Sequence, residues 1–372
     1  MEIKLIKNSD KSEYSSIDNN LLLQVVDDNY QFMDYKGKKL YILNVLTNER
    51  FEIAADIKKY YIADISYIGN LDHCVLFTSV EQLTENRAAI TVYRYMFYEA
   101  VCQQVYRMEV PMELFDGNKI LNIFALDNNY LFIEQIGHDN TFSNIILHDI
   151  VADKQIDINN TEIGKTGIRK MLPLGGNMGV ILYGTDDTDW TIGIVNVRQM
   201  TSELVLDGSN ITMECLDKIS AGNNEMCLKV LNDRIIYSRN DNSNQDEIVL
   251  YDYVKKVKKV RLNNYIEDEN VFDCIYVIDD VPYYIRKQED ETEVINLDTQ
   301  KVELKFPKGL SFKYIKDDIL IVQKDKKRLL SKDMVDYIEV YKYPHMHHCI
   351  FRTKAEYNGC VINDDELFII TN

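Results

Sequence analysis

Ile295-Asn296-Leu297-Asp298-Thr299-Gln300-Lys301 decides the fold, because the chain uses the same hairpin elsewhere. Leu43-Asn44-Val45-Leu46-Thr47-Asn48-Glu49 resembles it, and Leu147-His148-Asp149-Ile150 resembles Leu250-Tyr251-Asp252-Tyr253. One position of this hairpin serves as a ruler. It falls on Asn44, Arg94, Asp149, Asn196, Asp252, Asn296 and Lys342. The mean spacing is about 50 residues, the length of one four-stranded repeat.

Between the ruler marks lies a second punctuation. A tight Asp/Asn/Gly turn precedes a dense apolar strand at 27–29, 70–72, 127–129, 175–177, 232–233, 279–280, 317–318 and 363–365. Asn, Asp and Gly accept the positive φ that short hairpin turns need. The strands that follow are apolar at consecutive positions, as in Cys74-Val75-Leu76-Phe77, Tyr130-Leu131-Phe132-Ile133 and Ile319-Leu320-Ile321-Val322. A continuous apolar run means burial on both faces of a sheet, whereas a sheet with one wet face alternates. Strands A, B, C and D of each repeat therefore make a blade packed on both sides, and the chain is expected to be an all-β β-propeller of four-stranded antiparallel blades spanning 1–372 as a single domain. Eight turns imply eight blades; seven is the alternative. Glu2–Lys7 reads as a C strand and Glu13–Ile17 as a D strand. Together they would complete the blade of the C-terminal hairpin, so that N- and C-terminal strands close the ring.

Asn296-Leu297-Asp298-Thr299-Gln300-Lys301 resembles the D-x-x-T-G-K hairpin of bacterial quinoprotein-like propeller repeats. The chain departs from that pattern by having Gln300 where the family has Gly. It also lacks the Trp-Asp blade ending of WD40 repeats, Trp190 being the only tryptophan. The resemblance implies a fold and carries no functional residues.

Formal net charge is −18, which argues against nucleic acid, whose binding rests on Lys and Arg neutralising phosphates, and against an anionic membrane surface. The first residues lack the apolar core of a signal peptide, and a cytoplasmic location is expected. The seven cysteines show no CxxC spacing and lie mostly in apolar strand context, as reduced thiols do.

The loops between B and C strands are the expected binding rim. They span 80–87, 137–144, 184–190, 239–247, 287–292 and 323–336. Two stand out as partner-binding candidates. Lys324, Lys326, Lys327 and Arg328 with Leu329 and Leu330 form a basic, partly apolar patch, and Asp186, Asp187 and Asp189 with Trp190 form an acidic one. A short helix tucking Leu329 and Leu330 onto the blades is the plainer reading of the first. Asn240, Asn242, Asn244 and Asp246 alternate as calcium ligands would, without the Gly such a loop needs. His345 and His347, two apart on a strand, are a weak metal pair; a solvated hairpin explains them as well, and neither a metal nor a cofactor is expected. No nucleophile elbow, H-E-x-x-H or P-loop is present. The sequence thus leads to a non-catalytic scaffold that binds an unknown protein partner through its rim. The alternative is a small-molecule site, or a hydrolase- or lyase-type enzyme, in the central channel.

Overall fold

A computed structural model describes residues 2–7, 12–16, 20–32, 35–53, 61–64, 74–112, 121–127, 129–136, 142–159, 161–184, 189–198, 211–220, 228–240, 246–263, 275–278, 281–287, 291–307, 310–316, 318–327, 334–343, 348–363 and 366–371. β1 (Glu2–Lys7) is followed by four strands that form one sheet in sequence order: β2 (Glu13–Ser16), β3 (Leu21–Phe32), β4 (Tyr35–Asn44) and β5 (Glu49–Glu52). The second sheet is β6 (Tyr61–Asp64), β7 (Cys74–Thr84), β8 (Arg87–Met96) and β9 (Val101–Pro111). The third is β10 (Leu121–Ala125), β11 (Tyr130–Ile136), β12 (Phe142–Asp149) and β13 (Lys154–Asp157). A short helix, α1 (Glu162–Thr166), leads to β14 (Ile168–Gly175), β15 (Met178–Tyr183), β16 (Asp189–Val197) and β17 (Ile211–Ser220).

The fifth sheet is β18 (Leu228–Leu231), β19 (Arg234–Asn240), β20 (Asp246–Asp252) and β21 (Val257–Asn263). The sixth is β22 (Ile275–Ile278), β23 (Val281–Lys287), β24 (Glu291–Asn296) and β25 (Lys301–Pro307). The seventh is β26 (Leu310–Lys316), β27 (Ile319–Lys327), β28 (Met334–Lys342) and β29 (Cys349–Thr353). β30 (Tyr357–Asn363) and β31 (Glu366–Thr371) form the eighth with β1. The chain is an eight-bladed β-propeller. It divides into two compact units, one of 1–26, 42–50 and 224–372, the other of 27–41 and 51–223.

The first and last strands share a blade, as expected, but not in the expected way. β1 runs parallel to β31, with Glu2 opposite Glu366 and Lys7 opposite Thr371. A C strand reached by a hairpin would be antiparallel. β2 pairs with β3 and opens the next sheet, so Glu13–Ser16 is an A strand and not the D strand of the terminal blade. The eighth sheet therefore has three strands among the described residues.

The C–D turns show why the repeat reads as it does. Asn48, Ala100, Asp153, Lys256 and Gln300 all have φ between 48° and 58°. Each lies four residues past Asn44, Met96, Asp149, Asp252 and Asn296. The ruler mark in the second blade is thus Met96 rather than Arg94, and was hidden because methionine cannot cap the turn. Where the mark is Asn or Asp it does cap: Asn44 Oδ1 accepts from Leu46 N and Thr47 N, Asp149 Oδ1 from Ala152 N, and Asn296 Oδ1 from Asp298 N and Thr299 N. Gln300 occupies the left-handed position at which the related hairpin has Gly. Ala100 is the cleanest of these strained sites, being exposed. Ala100→Gly is expected to raise stability by about 0.5–1 kcal/mol, since Gly has no Cβ penalty at positive φ. A higher urea midpoint would show it, with Glu99→Gly as the control that gains nothing.

The B strands are buried on both faces, as their unbroken apolar runs require. Phe77, Phe132, Ile133, Val180, Ile181, Leu320 and Ile321 are all at most 1 % exposed. Among the described residues five D strands carry a bulge, and two of these bulges are tied to the next blade. Val105, Leu216, Arg261, Glu303 and Ile350 are each the extra residue of such a bulge. His148 Nε2, in the third blade, donates to the Val105 carbonyl at 2.7 Å, and Gln300 Nε2, in the sixth, donates to the Arg261 carbonyl at 2.7 Å. A bulge frees a carbonyl from the ladder, and in these two the following blade supplies its donor.

Candidate functional site

The residues singled out in the sequence are dispersed. Lys324, Lys326 and Lys327 belong to β27, which pairs with β28 as far as Lys327 opposite Met334, so the loop is shorter than expected. The 80–87 loop shrinks likewise, to a two-residue turn between β7 and β8. Arg328, Leu329, Leu330, Asp186, Asp187, His345 and His347 lie outside the described residues, as do Asn242 and Asn244. Asp189 opens β16 opposite Ser220, and Trp190 beside it carries the guanidinium of Arg169 at 5.1 Å from its ring centroid. Arg169 is aimed there by a bulge in β14. Among the described residues, no group of three or more His, Cys, Asp or Glu could hold a metal ion, and no helix is long and apolar enough to cross a membrane.

A better-formed site lies in the fifth blade, and the sequence reading passed over it. Val254 to Arg261 reads Val-Lys-Lys-Val-Lys-Lys-Val-Arg, five cations in eight residues of an acidic chain. That run forms the C–D turn and β21, the edge strand of its sheet. Lysines on an edge strand keep other strands from pairing with it; that accounts for a solvated row of them and for nothing more. Here Lys255, Val257, Lys259 and Arg261, on alternate positions, line a pocket of about 410 Å³. Asp233, Arg234, Leu250, Asp252 and, from the turn of the sixth blade, Asp298 complete its lining.

The strand ladder orders these groups. Arg234 pairs with Asp252, Asp252 with Val257, and Leu250 with Lys259. The acidic end of the pocket thus lies at the turns, and Lys259 and Arg261 lie further along β21. At the acidic end the charges are matched. Arg234 Nη1 donates to Asp298 Oδ1 at 2.5 Å and its Nε lies 3.8 Å from Asp233 Oδ1. Lys255 Nζ lies 2.8 Å from Asp252 Oδ2, while its backbone N–H donates to Oδ1 at 2.8 Å. These bonds hold the Asp252 carboxyl below the usual carboxylate range and the Lys255 ammonium above its own.

At the other end the charges are unmatched among the described residues. Neither Lys259 nor Arg261 has a carboxylate partner among the described residues. Arg261 Nε is buried with no acceptor, although the Arg261 backbone is fixed by Gln300. A guanidinium N–H removed from water without a partner is costly, and an anion seated against it would remove that cost.

Comparison with known proteins bears on the architecture. No protein-family model matches the chain, and no curated protein matches its sequence. The chain is similar to solved propellers. The β-propeller domain of the Trilobed protease from Pyrococcus furiosus shares 11 % identity at a TM-score of 0.45, covering 92 % of this chain and 99 % of that one. An acylaminoacyl peptidase of Pyrococcus horikoshii shares 12 % at 0.42, and a prolyl endopeptidase 11 % at 0.46, over 92 % and 97 % of this chain. This chain spans about half the length of those two peptidases, 52 % of each. These likenesses correct the expectation of a non-catalytic protein-binding scaffold: propellers of similar fold belong to peptidases, so the architecture is no ground for a non-catalytic reading. At such identities they concern the fold and transfer no residue of a peptidase site.

Proposed function

We propose that the chain binds a small anionic molecule, a carboxylate or phosphate compound, in the pocket lined by β21. The reading rests on one observation above the others: among the described residues Arg261 holds a buried Nε–H without an acceptor and Lys259 has no carboxylate partner, and both line one pocket. A guanidinium offers an anion a planar fork, and charge-assisted bonds to it are about twice as strong as neutral ones. The sequence alternative of a small-molecule site is kept in kind and moved from the channel to the outer strand of the fifth blade. The −18 charge of the chain makes a cationic pocket all the more selective, because anions are repelled elsewhere.

Isothermal titration with inorganic phosphate and with citrate tests the reading. The wild type is expected to bind at least one of them, and Arg261→Met to lose about tenfold or more in affinity, the effect of one charge-assisted bond. Binding should weaken as salt is added. Equal affinity in the variant, or no binding by the wild type, would remove this pocket as the site.

A further inference from the structure

Resting on that anion pocket, we infer that its ligand is a phosphate monoester. The argument is one of charge and place. Asp298 is held by Arg234 and Asp252 by Lys255, so the acidic end is closed to further anions, with Asp233 adding a half-exposed carboxylate there. Lys259 and Arg261, the two cations without a carboxylate partner among the described residues, both line the pocket from β21, two positions apart in the chain. A ligand that neutralises both must carry two negative charges at one end. A phosphate monoester does so, with a charge of about −1.5 to −2 near neutral pH and three acceptor oxygens on a single atom. A monocarboxylate leaves one cation bare. A dicarboxylate divides the same charge between two carbon atoms and meets each cation with a singly charged group. Beyond the phosphoryl group, Leu250 and Val257 offer an apolar wall for a small organic body, and Asp233 accepts a hydrogen bond from a hydroxyl or amine on it.

Phenyl phosphate, benzoate and succinate, titrated into the full chain, separate the possibilities. Phenyl phosphate is expected to bind about tenfold or more tightly than either carboxylate, as one additional charge-assisted contact would give. Lys259→Met should erase that margin while leaving the benzoate affinity within about twofold, since benzoate needs only the Arg261 fork. Benzoate or succinate binding as tightly as phenyl phosphate overturns the monoester and leaves the anion pocket standing. No binding of any of the three overturns both. The ester group could belong to a soluble molecule or to a lipid headgroup. Co-sedimentation with phosphatidylcholine vesicles containing phosphatidic acid, abolished by Lys259→Met, would assign a headgroup; binding of phenyl phosphate without vesicle binding would assign a soluble ester. Either result upholds the inference.

Discussion

Gly164→Ala is expected to lower the stability of its unit by about 3 kcal/mol, the upper range for forcing an atom into a packed site. A methyl group at Gly164 would stand 1.9 Å from the Ile158 carbonyl oxygen and 2.5 Å from Asn159 Cα. Both obstacles are backbone, and the backbone there is pinned. Ile158 O accepts from Thr161 N at 2.8 Å and from Thr161 Oγ1 at 2.6 Å, and Ile158 N donates to Ile145 O at 3.2 Å. Thr161 also caps α1, its Oγ1 accepting from Gly164 N at 3.1 Å. Ile158 and Ile163 are both fully buried in one cluster with Phe132, Ile145, Leu147 and Ile156. The turn therefore cannot retreat without dragging the core of its blade. Trp190 is the only tryptophan and lies in the same unit, so its fluorescence follows the unfolding of that unit in urea. Thr161→Ala, which loses the cap and adds no atom, should cost about 1 kcal/mol. An unfolding midpoint for Gly164→Ala no lower than that of Thr161→Ala would contradict the close approach.

Which parts of the molecule were legible follows from the range of the forces involved. The A–B turns and the αL position of the C–D turns are local. Gly175, Gly176 and Asn177 all take positive φ, as their residue types announce. Two-sided burial of the B strands is a blade-on-blade effect, but it leaves a local trace in unbroken apolar runs. The partner of Glu2–Lys7 leaves no such trace. Its six residues could accept pairing in either direction, and only the approach of β31 decides for parallel. The five-residue helix α1 is too short to show a 3.6-residue period. The D-strand bulges are single extra residues that periodicity cannot locate. The cationic run itself was plain in the sequence. It was passed over because binding was sought in loops, while these cations sit on an edge strand whose alternation brings Lys255, Lys259 and Arg261 to one side.

Glu339 carries the other large expectation. It stands three residues before Lys342 on β28, as Glu293 stands three before Asn296 on β24, and both meet a D-strand cation directly across the ladder. Glu339 pairs with Arg352 and accepts the Tyr341 hydroxyl; Glu293 pairs with Arg286 and Lys305. The Glu339 side chain is only 2 % exposed, whereas that of Arg352 is 49 % exposed. Burial alone pushes the Glu339 carboxyl up, but the Tyr341 and Arg352 hydrogen bonds, aided by the charges of Arg352 and Lys324, outweigh it and bring it below the ordinary value. The Tyr341 phenol moves the other way, driven up by burial and by the neighbouring carboxylate.

The sign of the pH effect follows. A carboxyl depressed on folding contributes stability that is complete above its unfolded value of 4.5 and is lost as pH falls through the lower folded value. Glu339→Gln keeps the shape and removes the charge. It should destabilise by about 2 kcal/mol at neutral pH, the cost of taking the charge from a buried pair whose other member reaches water. Wild type and variant should converge as pH falls from 4.5 through the lower folded value, below which the carboxyl is protonated in both the folded and the unfolded chain. Urea unfolding followed by circular dichroism from neutral to acidic pH measures this. A constant difference at every pH would mean that Glu339 acts through packing and not through its charge. Glu293→Gln should behave alike, because Lys305 and Arg286 lower that carboxyl in the same sense.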